Sequence, residues 1–432
     1  MQEYQETQSV AEQTVQIDDR QQQPAVSSYA WYVLAVLGIV YLMNFLDRTL
    51  IYILFPPIKR EMALSDLQLA LLGTTSFALF YTALGIPFGR LADRAVRKTM
   101  VAVGLVIWSV FSGLTGFATN FWMMFLCRVM VGVGEATLGP AALSLLSDYF
   151  PKQMRATAQS IFTAGIPLGA AAAFFLGGWI ADLLGWRWAF YLLSFPGVVL
   201  AGLVWFIKEP PRGVTDAITT DNAPRDWRVL PKIPTLYFHT LGYAAAAIAA
   251  NSLSIWVPTL LNRTQGMTLT SIGLMAGFSM LFAGGVSTGF GGVIADWFRQ
   301  RSNGGRMKFT ALAMVICVPL WLTFLLSGNQ VVMVICYALL TGAGLLWVGP
   351  AAADMHDIVG PNLRGVGIGV YYFVVNIIGY GIAPPLIGNI SDALGASTDP
   401  TQMSVALMLC PAACALSAVL LWLGSKRLDN AV

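Results

Sequence analysis

Apolar residues fall in long runs along this chain, and the polar residues between them form short clusters. Runs near 31–55, 67–91, 98–118, 121–146, 156–182 and 188–207 come first. After a polar stretch come runs near 233–261, 270–297, 308–327, 330–353, 363–391 and 402–424. A helix of about 20 residues, rising about 1.5 Å per residue, crosses a hydrocarbon layer about 30 Å thick. The pattern therefore predicts an all-α membrane protein with twelve transmembrane helices. The polar stretch 208–232 carries Glu209, Arg212, Asp216, Asp221, Arg225, Asp226, Arg228 and four prolines. It reads as a cytoplasmic linker between a six-helix bundle at 31–207 and another at 233–425.

Composition sharpens this reading. Only 11% of residues are charged and 56% are hydrophobic, where a soluble domain carries about 25% charged residues. Residues 1–30, polar and rich in Gln, are expected to form a disordered cytoplasmic tail without the apolar core of a leader, and 426–432 a second short tail. Lysine and arginine set the orientation: with the N-terminus inside, 19 basic residues fall on cytoplasmic segments and four (Lys59, Arg60, Arg187, Arg263) on outer ones. Both termini are thus expected in the cytoplasm. Cys127, Cys317, Cys336, Cys410 and Cys414 all lie inside apolar runs and read as packing residues, not disulfides or metal ligands.

The two halves repeat each other. Gly89-Arg90-Leu91-Ala92-Asp93 recurs as Gly292-Val293-Ile294-Ala295-Asp296, each followed by a basic loop. Gly139-Pro140-Ala141-Ala142 with Asp148 and Arg155 recurs as Gly349-Pro350-Ala351-Ala352 with Asp357 and Arg364. Internal repeats of this kind are common among secondary transporters.

The segment from Gly85 to Lys98, with Gly85, Gly89, Arg90, Asp93, Arg94 and Arg97, resembles the loop signature between helices two and three of the major facilitator superfamily. Small Gly85 and Gly89 would permit close helix approach, and Asp93 sits where it can cap or pair near a neighbouring helix end. The resemblance implies a gating role for this loop; a topological anchor is the alternative. Asn44-Phe45-Leu46-Asp47-Arg48, the run from Arg128 through Gly132 and Gly134 to Glu135 and Ala136, and Ile166-Pro167-Leu168-Gly169 are similar to the Spinster branch, which transports sphingolipids and lysophospholipids. Organic anion–cation symporters share some of these elements.

An ionisable side chain within a span is costly unless paired or hydrated, so it is treated as functional. Asp47 lies roughly 12 Å below the outer end of its span and Arg128 roughly 10 Å below the outer end of its own, so they could meet at one level. Arg128 and Glu135, two turns apart, share a helix face. Desolvation favours a protonated carboxyl and an adjacent cation an ionised one. The arrangement suggests a proton relay in which Asp47 and Glu135 take protons and Arg128 modulates them; the resemblance implies the same roles. A static ion-pair cluster is the alternative. Arg48, with no acidic neighbour one turn away, is the candidate for an anionic substrate group, alongside Asn44, Tyr371 and Asn376. Tyr372, Tyr380 and Trp347 are weaker candidates.

In the second half Ala250, Asn251, Ala338 and Leu345 stand where Asp47, Arg48, Arg128 and Glu135 stand in the first. A cavity charged on one wall and apolar on the other suits an amphipathic anion, such as a lysophospholipid or sphingoid phosphate, better than a small polyanion. A symporter of sugar acids is the competing transporter reading. A membrane sensor would need a larger output domain, and an intramembrane enzyme a convergent nucleophile and base. No phosphate loop or zinc spacing occurs, so no cofactor is expected and the driving force is a proton gradient. His239 and His356 are expected as exposed or capping histidines. The expected setting is the bacterial plasma membrane, with membrane lipids, protons and the substrate as partners, no nucleic acid, and a monomer.

Overall fold

The computed structural model describes residues 26–211, 227–359 and 363–430. The tail at 1–25 and most of the charged linker stretch lie outside them. Among the described residues, twelve helices are long and apolar enough to cross a membrane. They are α1 (Ser28–Met62), α2 (Asp66–Gly85), α3 (Arg97–Thr115), α4 (Phe121–Tyr149), α5 (Gln153–Leu184), α6 (Trp186–Trp205), α7 (Pro234–Gln265), α8 (Leu269–Arg299), α9 (Gly305–Leu326), α10 (Gln330–Val359), α11 (Val366–Ala393) and α12 (Gln402–Asp429). Large apolar side chains on the outside, among them Trp122, Leu183, Phe206 and Leu326, are exposed as expected for surfaces that face lipid.

The repeat extends to turn chemistry. Ser65 caps α2, its hydroxyl accepting from Gln68 N at 3.1 Å, and Thr268 caps α8, accepting from Ser271 N at 3.2 Å. The residue two places before each cap, Ala63 or Gly266, has positive φ, at 50° and 62°. Gly185 before α6 and Gly395 before α12 form a second such pair, at 93° and 76°. Left-handed backbone at matched points sends the chain back through the membrane in the same way in both bundles. Helix α4 breaks after Glu135 and α10 after Leu345, again at corresponding positions.

Glycines bring helices within each bundle close together. A Cβ on Gly134 would lie 2.7 Å from the Gly104 carbonyl and 2.8 Å from Trp108 N, so α3 and α4 touch through backbone. A Cβ on Gly169 would lie 2.2 Å from the Leu42 carbonyl, which fixes α1 against α5. Such contacts replace the hydrophobic driving force that helices lack in lipid.

The bundles close on each other at the end away from the termini. Asp66, with no exposed surface, receives Lys59 at 2.6 Å, Arg263 at 2.9 and 2.6 Å, and Ser391 at 2.7 Å. Asp392 of α11 accepts the first two amides of α2, Asp66 N and Leu67 N, each at 2.8 Å. Beside them α5 meets α8: a Cβ on Gly178 would lie 2.3 Å from the Leu269 carbonyl, and one on Gly273 2.2 Å from that of Phe174. At the other end of α2 the expectation for Gly85 and Gly89 is corrected. A Cβ on either would meet nothing within 4 Å, because the bundles are drawn together at the opposite end and no helix presses on this face.

Candidate transport site

The four mid-membrane charges do converge, from α1 and α4. Asp47, Arg128 and Glu135 are 1% exposed or less, and Asn44 is buried with them. Glu135 ends the first helical segment of α4, next to the break at Ala136 and Thr137, where Thr137 Oγ1 donates to the Gly134 carbonyl at 2.8 Å. A break in a buried helix places polar backbone beside the carboxylate instead of in lipid.

The pairing differs from the expected one. Arg48, assigned to a substrate anion, is the partner of Glu135: Nη2 and Nε donate to Oε2 at 2.9 and 3.3 Å. Nη2 also reaches Asn44 Oδ1 at 3.4 Å. The guanidinium sits among the rings of Phe45, Phe77 and Tyr81, 4.3 to 4.9 Å from their centroids, which orients it and screens it from solvent. No acid lies one turn from Arg48 along α1, and its partner comes from another helix, α4. Asp47 likewise does not pair with Arg128; its Oδ1 accepts from Ser112 of α3 at 2.8 Å. Arg128 is fully buried, and none of its three guanidinium nitrogens has a hydrogen-bond partner, nor has Glu135 Oε1. The site thus combines one formed ion pair, one carboxyl held by a hydroxyl and one buried cation without a hydrogen-bond partner. A buried guanidinium without hydrogen bonds is expensive, and here only the nearby charges of Glu135 and Asp47 offset that cost.

Tyr380 lies near the Arg48 charge, and most of the remaining candidates are dispersed. Arg97 is buried inside the first bundle, with Asp148 at 2.5 Å, Glu209 at 2.8 Å and the Ser144 carbonyl at 3.1 Å, and so ties α3 to α4 and to the start of the linker. Arg90, Asp93 and Arg94 are exposed. Tyr371 is buried against His239 and Tyr243, away from the charge cluster, while Asn376 is half-buried. His239, expected at an exposed or capping position, is fully buried. Asp354 on α10, not among the candidates expected from the sequence, is also fully buried. Its signal was periodicity: it shares the buried face of α10 with Ala351 and Met355, where an acidic residue is out of pattern.

Two packed six-helix bundles with a polar break at mid-membrane and a seal at one end define the architecture of a secondary transporter. The family model of the Major Facilitator Superfamily matches residues 37–384, and the chain belongs to that superfamily. It is a transporter and not an enzyme. Its similarities include the Spinster branch, in keeping with the motifs of α1 and α4. It is 29% identical to an MFS-type efflux pump of Mycolicibacterium smegmatis, over 92% of this chain and 93% of the other. It is 28% identical to a sphingosine-1-phosphate transporter of Xenopus tropicalis, over 87% of this chain and 78% of that one. A solved bacterial homolog of the human lysosomal transporter Spinster, inward-facing and unoccupied, superposes with a TM-score of 0.80 at 25% identity, covering 94% of this chain and 97% of that chain.

Proposed function

We propose that this transporter is proton-coupled, works by alternating access, and carries amphipathic anions with a phosphate or similar head and a hydrocarbon tail. The observation that carries the reading is the exchangeable cluster of Arg48, Glu135, Asp47 and Arg128. Glu135 can hold Arg48 when ionised and release it when protonated, while Arg128 stands buried within the same cluster without a hydrogen-bond partner. Protonation of Glu135 would then free Arg48 as a second cation for the substrate head, which keeps the substrate role first expected of Arg48 but makes it conditional. The apolar residues of the second bundle at the corresponding positions suit a hydrocarbon tail. The sphingosine-1-phosphate transporter among the relatives supports a lipid-like substrate. The surplus of basic residues on the termini's side supports cytoplasmic termini in a bacterial plasma membrane, so that the sealed end faces outward. No cofactor is needed, and a single chain contains both bundles.

The test is transport by the reconstituted protein with an imposed pH gradient, offering lysophospholipids, sphingoid phosphates and sugar acids in parallel. Gradient-dependent movement of the lipids, abolished in Glu135→Gln with binding retained, is the expected outcome. Movement of sugar acids alone would replace the amphipathic substrate with a small organic anion. Full gradient dependence in Glu135→Gln would remove Glu135 from the coupling mechanism.

A further inference from the structure

The second bundle contains a buried polar cluster that the mid-membrane charges do not touch. Asp354 of α10 has no exposed surface, and its Oδ2 accepts from the Tyr243 hydroxyl of α7 at 3.0 Å. Its Oδ1 has no hydrogen-bond partner, and Arg306 Nη1 of α9 stands off at 4.0 Å. Arg306 is engaged elsewhere: Nε donates to Asp296 of α8 at 2.7 Å and Nη1 to Asp357 at 2.9 Å. Asp357 is shared with Arg299, whose Nε donates to it at 3.1 Å. His239 completes the lining from α7. Its Nε2 donates to the Ala351 carbonyl at 2.9 Å, its Nδ1 has no partner, and its ring lies edge-on to Tyr243 and Tyr371, at 4.7 and 5.3 Å.

The groups around Asp354 are therefore Tyr243 and His239 from α7, Asp296 and Arg299 from α8, Arg306 from α9, Tyr371 from α11 and Asp357 from its own helix. Among these described residues three carboxylates meet two guanidiniums. Arg306 bonds both outer carboxylates and Arg299 bonds Asp357, and the third carboxyl is the one sealed from solvent. A buried carboxylate with one bare oxygen is costly, and a proton on that oxygen removes the charge without moving any neighbour.

We propose that Asp354 is a second proton-binding site of this transporter, separate from the site on α1 and α4. This rests on reading the chain as proton-coupled and gives that coupling a member in each bundle. The proton adds to Oδ1 and no other bond breaks. When the proton leaves, the charge on Asp354 draws Arg306 across the 4.0 Å gap, away from Asp296 near the end of α8. The α8–α9 turn then loosens on the side of the termini, so the protonation state of Asp354 sets how firmly that turn is held.

The experiment is pH-difference infrared spectroscopy of the full protein in lipid vesicles, reading the carbonyl stretch of protonated carboxylic acids near neutral pH. In the double variant Asp47→Asn/Glu135→Gln one titrating acid band is expected to remain. Adding Asp354→Asn should remove it, and Asp354→Glu in its place should restore a band at an altered frequency. Tyr243→Phe, which deletes the donor to Oδ2, should shift the frequency of the Asp354 band. A double variant with no titrating band, or a band indifferent to Asp354→Asn, overturns the proposal. If Asp47→Asn/Glu135→Gln removes no band from the wild-type spectrum while Asp354→Asn does, the coupling role of the α1–α4 site fails and the second site stands.

Discussion

The two bundles share a backbone and differ in where they bury charge. Their turns, caps and helix breaks match, down to the paired positive-φ residues Ala63 with Gly266 and Gly185 with Gly395. The first bundle places Asp47, Arg48, Arg128 and Glu135 deep in the membrane, next to the α4 break. The second has Ala250, Asn251, Ala338 and Leu345 at those positions, and among its described residues the buried carboxyl Asp354 and imidazole His239 lie toward the end of the termini. The same backbone therefore carries two different sites. Turn chemistry and glycine contacts set the shape, and a few side chains set what each bundle can bind.

The largest expected effect comes from breaking the charge cluster. Arg48→Ala leaves Glu135 buried without its cation and should destabilise the protein by about 3–5 kcal/mol, read as thermal unfolding in detergent. The double variant Arg48→Ala/Glu135→Ala should lose clearly less than the two single losses added together. Additive losses would mean that the pair observed here contributes no coupling. The equivalent change in the second bundle, Asn251→Ala, should cost little.

Next in size is the seal between the bundles. Asp66→Asn removes the charge that gathers Lys59 and Arg263, and should shift the population toward the state open at that end by about 2–3 kcal/mol. Labelling of a cysteine placed on the inner surface of the seal should rise accordingly. Unchanged labelling would assign the closure to the α5–α8 glycine contacts alone.

The glycines give a sharper contrast. Gly134 and Gly344 are corresponding residues, but a Cβ on Gly134 would strike backbone at 2.7 Å, whereas one on Gly344 would meet the Ala250 Cβ at an ordinary 3.6 Å. Gly134→Ala should cost about 1–3 kcal/mol, and Gly344→Ala should be close to neutral. Equal effects would show that the bundles are packed more alike than these contacts indicate. The smallest effect is at the matched turns: Ala63→Gly should stabilise by about 1 kcal/mol and Gly266→Ala should destabilise by about as much, since each exchanges the side chain at a left-handed position.

Much of this was legible in the chain. Span length, the two-half repeat and the identity of the four intramembrane charges follow from local properties, because hydropathy and charge act residue by residue and a membrane penalises every exception. The partners were not legible. The absence of an acid one turn away on α1 points Arg48 toward substrate, yet its carboxylate comes from α4. Depth matches Asp47 to Arg128, yet its carboxylate is held by Ser112 of α3. Gly85 and Gly89 were expected to be pressed by a neighbour, and it is Gly104, Gly134 and Gly169 that are. His239 is expected at an exposed or capping position, yet it is enclosed by α10 and α11.

The sequence by itself thus determined that this is a twelve-helix membrane protein with a repeated half and a charged centre in the first half only. Tertiary structure alone decided which charge meets which, which cation lacks a hydrogen-bond partner, which end of the molecule is sealed, and that Asp354 is buried with a bare oxygen. The physical reason is geometric. An ion pair or a helix contact depends on distances of a few ångströms between segments far apart in the chain, and hydrophobic periodicity fixes the face a residue occupies but not the helix that lies against it.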